Sequence, residues 1–337
     1  MTASVGTSVK RAILARIASL TEGGWRRIIR DQPIIPLLIL LAALVAVLEL
    51  AKPGIVSGNW LATTIRAATP LAILAGCQTM AMLTGGIDLS VGAVASMAAF
   101  LMATLATGQG PVVALVVAFA AVAIAGLVNG IGIGVFKVHP LIMTLGMSLV
   151  VLGLMSVYQL LMVRSGTLIP DAIQWLGSGI SLGFVPNSLI VFAPVAALIV
   201  IGLRRSGYGR LLFAVGDNPI AARLAGTRVW QVLVVLYIFS AILAAIAGIL
   251  IAGNTNTATV SLVEQSVLPS VAAAVIGGTS IMGGRGGYSG TIVGALILTV
   301  VTTLLTVLEM PEAVRQVLFG VIIVVVAAAY TRVSGEA

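Results

Sequence analysis

The 337-residue chain is 60% hydrophobic and only 8% charged, which excludes an ordinary soluble domain and places most of it in lipid. Its 18 Lys and Arg against 10 Asp and Glu give a net charge of +8, but so sparse a basicity reports membrane topology and not nucleic-acid binding. One cysteine and one histidine exclude an internal disulfide and a soft-ligand metal cluster.

At the start of the chain, residues 9–30 are basic, with Ile13, Leu14, Ile17, Leu20 and Trp25 between the charges. This pattern predicts a helix lying on the membrane surface, so residues 1–32 read as an amphipathic N-terminal segment and 33–332 as a membrane domain. The first apolar span is followed by no small-residue cleavage site and is expected to remain as an anchor. A bilayer core of roughly 30 Å takes about 20 apolar residues. Breaks at Gly, Pro and charge then give ten candidate spans: 34–52, 63–83, 88–106, 111–134, 139–163, 188–203, 229–252, 266–283, 287–308 and 314–331. The third follows the second after a very tight turn and the eighth is short and Gly-rich, so these two read as crossing or re-entrant. The expected fold is all-α and polytopic, with about ten transmembrane or re-entrant helices. Ten spans put both termini on one side. Fourteen of the 18 Lys and Arg fall there, and only Lys52, Arg66, Arg164 and Arg315 at the other, so both termini are expected in the cytoplasm.

Two glycine clusters interrupt the spans. The first is Leu83-Thr84-Gly85-Gly86-Ile87-Asp88-Leu89-Ser90-Val91-Gly92, and the second runs from Ile276 through Gly277, Gly278, Gly283 and Gly284 to Gly287. Non-helical backbone at membrane depth survives only inside protein or beside a water-filled path, so both clusters are candidates for gating turns. Asp88 is placed to cap the following helix, with Ser90 as a second helix-start residue. The stretches 63–106 and 266–308 read as loosely matched copies, an arrangement common in transporters.

Residues 216–228 predict a short capped helix between two apolar spans. Asn218 or Asp217 is placed to accept from free N–H groups at its start, Pro219 suits the first helical position, and Gly226 supplies a left-handed stop. Catalytic chemistry finds no support. The chain lacks a P-loop, and its single His139 precedes Pro140 at a helix start, where a structural role is expected. Carboxylates are scarce in the spans: Asp88 sits beside a glycine turn, while Glu49, Glu264, Glu309 and Glu312 sit at outer ends. The energy source is therefore expected on another polypeptide.

Taken in order, these segments resemble the ribose-type ABC importer permeases. The resemblance rests on Leu83-Thr-Gly-Gly-Ile-Asp-Leu-Ser-Val-Gly92, Gly126-Leu-Val-Asn-Gly130, His139-Pro-Leu-Ile-Met-Thr-Leu-Gly146, Tyr208-Gly-Arg210, the run from Ala214 to Leu224, and Val275-Ile-Gly-Gly-Thr-Ser280 with Gly283-Gly-Arg-Gly286. It spans residues 60 to 332. It implies a subunit that dimerises in the bacterial inner membrane, with itself or a paralogue, and works by alternating access. The family pattern further implies a cytoplasmic ABC ATPase, which binds the ATP and Mg, and a periplasmic sugar-binding protein as partners. This chain itself is expected to hold no cofactor and no metal.

On that resemblance residues 217–226 are the coupling helix. Gly216, Asp217, Asn218, Pro219, Ala221, Ala222, Arg223, Leu224 and Gly226 face or shape the ATPase contact, and Arg210, Arg223 and Arg228 meet acidic groups or lipid phosphate. Asp217, Ala225 and Thr227 depart from the family pattern, which changes the surface shown to the ATPase. A sugar needs uncharged hydrogen-bonding groups, and Gln78, Thr79, Asn129, Thr144, Tyr158 and Gln159 are the candidates to line its path. Residues 164–187, with Arg164, Asp171 and Trp175, are expected to dock the binding protein together with 253–265. Glu49 and Arg66 are expected to pair. The rival readings are a branched-chain amino-acid permease, disfavoured by the Gly-Ile-Asp-Leu-Ser-Val-Gly form, and a stand-alone carrier.

Overall fold

A computed structural model describes residues 34–163, 167–311, 313–321 and 324–325. The N-terminal segment, Arg164 and part of the tenth expected span (322, 323 and 326–331) lie outside the described residues. The helices run in the order α1 (Ile34–Ala51), α2 (Gly58–Leu83), α3 (Val91–Gln109), α4 (Pro111–Gly134), α5 (Pro140–Met162) and α6 (Asp171–Ser178). A two-stranded hairpin follows, β1 (Ile180–Ser181) antiparallel to β2 (Val185–Pro186). Then come α7 (Leu189–Arg205), α8 (Gly207–Asp217), α9 (Pro219–Leu224), α10 (Val229–Thr255), α11 (Val267–Ile276) and α12 (Tyr288–Val307), with a further helical stretch over 313–321.

Among the described residues seven helices are long and apolar enough to cross a membrane: α1 to α5, α10 and α12. The pair α7–α8, bent by 67°, makes an eighth if it is one broken span. The described residues thus account for seven or eight full crossings of the ten expected crossing or re-entrant spans. The eighth expected span contains only the ten residues of α11. At 1.5 Å per residue these rise about 15 Å, half the hydrocarbon thickness. By contrast the third expected span, α3, has full length at 19 residues.

Helix α10 forms the centre, packed by α2, α3, α4 and α6. Lipid supplies little hydrophobic drive between helices, so close packing of small residues decides which faces meet. In α4 the glycines 126, 130 and 134 recur every fourth residue and lie along α10. A Cβ at Gly126 would meet the Tyr237 carbonyl at 2.6 Å, at Gly130 the Val234 Cα at 2.5 Å, and at Gly134 the Trp230 carbonyl at 2.9 Å. The partners run backwards as the glycines run forwards, so the two helices are antiparallel with backbones in contact. Around α11 and α12 alanines join glycines in this role: Ala72, Ala75, Ala272, Ala273 and Ala295 are all buried, and Gly290 and Gly294 lie against the backbone at the C-terminal end of α11. Threonines 299, 302, 303 and 306 of α12 return their hydroxyls to carbonyls four residues back, which satisfies them inside an apolar helix.

Residues 167–188, before α7, carry structure of their own. Helix α6 lies on the C-terminal end of α10, where Gly177 and Gly253 admit the opposite backbones. Arg66 does not pair with Glu49. Its guanidinium donates to the Ser178 carbonyl at 2.7 Å, tying α2 to α6, while Glu49 accepts from the N–H groups of Gly54 (2.6 Å) and Val56 (3.0 Å) and closes the α1–α2 loop. The two loop amides, which would otherwise go unsatisfied, take up that carboxylate.

Candidate functional site

The capped helix between the apolar spans is α9, six residues long. Asn218 is its N-cap, its side-chain oxygen accepting from Ile220 N–H (3.0 Å) and Ala221 N–H (2.9 Å). Asp217 is not part of it; that residue closes α8, so the helix is shorter than residues 217–226. The stop at Gly226 has φ +87°, with Thr227 N–H donating to the Ala222 carbonyl and Gly226 N–H to that of Arg223. Ala222 alone of the six helical residues is buried, and Ile220 and Leu224 stand 69% and 85% exposed one turn apart. What the sequence did not announce is α8, a separate helix that turns the chain back from α7 before α9 begins.

Both glycine clusters end a helix in the same way. After α2, Gly85 (φ +77°) lets Gly86 N–H reach the Ala81 carbonyl; after α11, Gly278 (φ +88°) lets Thr279 N–H reach that of Ala274. The bonds at 6→1 spacing are those of α9 as well. This likeness supports a repeat, although α2 has 26 residues and α11 ten.

The two turns and the approach to α9 meet at one point. Gly284 N–H donates to the Leu83 carbonyl at 3.0 Å. A side chain at Gly216 would overlap that same carbonyl, and one at Gly283 would meet the Gly216 carbonyl at 2.7 Å and Gly85 N at 3.1 Å. Asp217 in turn lies against Gly284. Three glycines thus let the ends of α2 and α8 and the turn before α12 touch backbone to backbone, with no flexible side chain between them.

Behind this junction lies a buried polar cluster centred on Asp88, which is 2% exposed. One carboxylate oxygen accepts from Ser90 N–H (3.0 Å) and Ser90 Oγ (2.6 Å); the other accepts from Ser240 Oγ of α10 at 3.0 Å. Asp88 is therefore not the cap residue of α3. Ser90 holds that position, and Asp88 serves the helix start from two residues earlier. Nor is the chain without a deeply buried carboxylate, since neutral hydrogen-bond donors accommodate this one.

Gln78 fixes the backbone of Asp88 from both sides, donating to its carbonyl at 2.7 Å and accepting from its N–H at 3.2 Å. Asn129 of α4 donates to Ser90 Oγ at 2.9 Å. Thr144 of α5 accepts from Leu89 N–H (3.0 Å) and donates to the Ile87 carbonyl (3.2 Å). Asn129 Oδ1 and Tyr237 OH are buried here without a hydrogen-bond partner among the described residues. Cys77, also fully buried, donates to the Ser240 carbonyl at 3.3 Å.

Of the six residues expected along a path, then, Gln78, Asn129 and Thr144 come together around the first glycine turn. Thr79 bonds Thr291 of α12 at 2.8 Å, and Tyr158 lies 3.2 Å from Thr104 with its ring edge-on to Phe100. Gln159 is exposed on α5 and joins none of them. Sequence reasoning missed Ser240, Tyr237 and Thr291, single polar residues in apolar helices. It also missed the packing stripe of Gly126, Gly130 and Gly134, whose spacing was there to be seen.

A polytopic bundle with glycine turns joined to a capped, exposed helix defines a membrane permease subunit. The chain belongs to the family described as branched-chain amino acid transport system / permease component, whose model matches residues 60–327. Among curated relatives, the galactofuranose transporter permease protein YtfT of Escherichia coli is 36% identical over 266 residues, covering 77% of this chain and 76% of the relative. The ribose import permease protein RbsC of Bacillus subtilis is 31% identical, covering 84% and 88%. The fructose import permease protein FrcC of Rhizobium meliloti is 29% identical, covering 87% and 84%. No solved structure matches the chain significantly.

Proposed function

We propose that this chain is the permease subunit of an ATP-driven ABC importer for a sugar or polyol, working by alternating access in the bacterial inner membrane. The family and the three sugar-permease relatives support the class of cargo. The observation that carries the coupling role is the junction of Leu83, Gly216, Gly283 and Gly284. A push on α9 is delivered through Gly216 to the ends of the membrane helices with little side-chain give.

In this reading α9 sits on a cytoplasmic ABC ATPase that binds ATP and Mg, with Ile220 and Leu224 entering a groove on it. Both termini are cytoplasmic, in keeping with the Lys and Arg distribution. The opposite face presents α6 and the β1–β2 hairpin, with Trp175, Leu182 and Phe184 exposed, to a periplasmic sugar-binding protein. The pore is completed by a second permease chain, identical or paralogous. Loaded binding protein biases the outward state through its differential contacts.

Asp88 does not revive a proton- or cation-driven carrier. Both its oxygens are engaged by Ser90 and Ser240, so it holds the first turn in place.

The test is purification of the tagged chain from native membranes in mild detergent, followed by reconstitution with whatever co-purifies. A P-loop ATPase whose hydrolysis rises with sugar and binding protein is the expected result. Sugar uptake by the chain alone, without ATP, would overturn the reading.

A further inference from the structure

A cleft of about 680 Å³ opens between the α4–α5 linker and the junction of α9 with α10. Its polar lining is Lys137, Arg223, Thr227 and Arg228, and its apolar lining includes Val135 and Trp230. No acidic residue lines it, and no hydrogen bond or ion pair within the described residues occupies the three cations. All three are exposed. Their place along the spans is what matters: α4 ends at Gly134, α5 begins at Pro140 and α10 begins at Val229. Three long apolar helices therefore terminate at the mouth of the cleft, which puts it at the boundary between hydrocarbon and water. Trp230 and Phe136 are exposed at the same level, 46% and 74%, as aromatic side chains are at a membrane interface. Below them α4 shows lipid an apolar face, with Ile124 and Val128 exposed one turn apart.

We infer that this cleft binds the headgroup of an anionic phospholipid. Its phosphate is held by Lys137 and the guanidinium groups of Arg223 and Arg228, and its acyl chains lie along Ile124, Val128 and Val135. Guanidinium forks match phosphate oxygens in geometry as well as charge, and basic pockets between membrane helices suit anionic headgroups. Arg223 belongs to α9, whereas Lys137 belongs to the α4–α5 linker. A phosphate bridging them clamps the exposed helix to the membrane bundle on the side away from the Gly216 junction. The inference does not rest on the importer reading, since lipid binding needs neither ATPase nor sugar.

The experiment is native mass spectrometry of the purified full-length chain in detergent, with added phosphatidylglycerol or phosphatidylcholine of the same acyl chains. Phosphatidylglycerol is expected to be retained in preference, and excess inorganic phosphate to leave it bound because the acyl contacts remain. Retention is expected to fall about fivefold for each cation removed. The variants are Arg228→Gln and Lys137→Asn, the latter because position 137 has φ +57° and Asn accepts that conformation. Arg205→Gln removes an exposed cation outside the cleft and is expected to bind lipid as the unaltered chain does, which separates loss of the site from loss of fold. Equal retention of the two lipids, or unchanged retention in the double variant, would overturn the inference. So would displacement by inorganic phosphate, which assigns the cleft to a free anion. Loss of ATPase co-purification with lipid retention intact would assign it to a protein partner instead.

Discussion

The α-carbon of Gly216 lies directly against the carbonyl oxygen of Leu83, so the backbone entering α9 rests on the last residue of α2. Gly284 N–H donates to that same oxygen, which makes one carbonyl the meeting point of three segments far apart in the chain.

Gly216→Ala puts a methyl group into that carbonyl. Overpacking of this kind costs about 1–3 kcal/mol, and here it pries α8 from α2. Sugar-stimulated ATP hydrolysis in proteoliposomes is expected to fall more than about tenfold. Gly207→Ala, whose nearest neighbour is an Arg210 nitrogen at 3.8 Å, is expected to leave it unchanged. Equal activity of the two variants would contradict the junction's role.

Leu224→Asp replaces an apolar residue that is 85% exposed. Because it buries nothing in the chain, folding and membrane insertion should be unaffected. Recovery of the ATPase in a pull-down is expected to drop at least about tenfold, as for a central interface anchor. Full recovery would remove α9 from the contact.

Asp88→Asn and Asp88→Ala separate support from ion carriage. Asn retains an acceptor for Ser90 and offers an amide to Ser240, so its uptake is expected within about threefold of the unaltered chain. Ala strands the hydroxyls of Ser90 and Ser240 and is expected to cost about 1–3 kcal/mol, read as a lower unfolding temperature in detergent. Complete loss of uptake in the Asn variant with unchanged stability would instead mark Asp88 as a titrating group.

Gly130→Val tests the stripe between α4 and α10. Added carbons meet Val234 backbone, and a loss of about 1–3 kcal/mol is expected. Gly146→Ala, with no neighbour within 4 Å, is expected to be neutral or slightly stabilising. Thermal unfolding of the two purified variants decides it.

Local chemistry makes α9 legible in the sequence itself: Asn218, Pro219 and Gly226 carry start and stop within nine residues. The membrane character and the two glycine turns are legible for the same reason, since hydropathy and glycine act over short windows. Contacts between segments are not. Ser240 gives no sign in sequence that it answers Asp88, 152 residues away. The opposite charges of Glu49 and Arg66 invite a pairing that backbone groups of Gly54, Val56 and Ser178 pre-empt. At α11 apolar composition alone overstates the helix, since it continues through residues whose glycines end it, as the Gly-rich shortness of that span suggests.

Cys77 is the sole thiol of the chain, is fully buried in α2, and is held against the Ser240 carbonyl. The native protein is thus silent toward water-soluble maleimides while folded. Cysteines placed singly at Leu224, Trp175 or Lys137 become unique chemical handles, with no background substitution needed. Accessibility labelling from either face of a sealed vesicle then reads which side each belongs to, and a spin label pair across the junction reports its movement during a transport cycle.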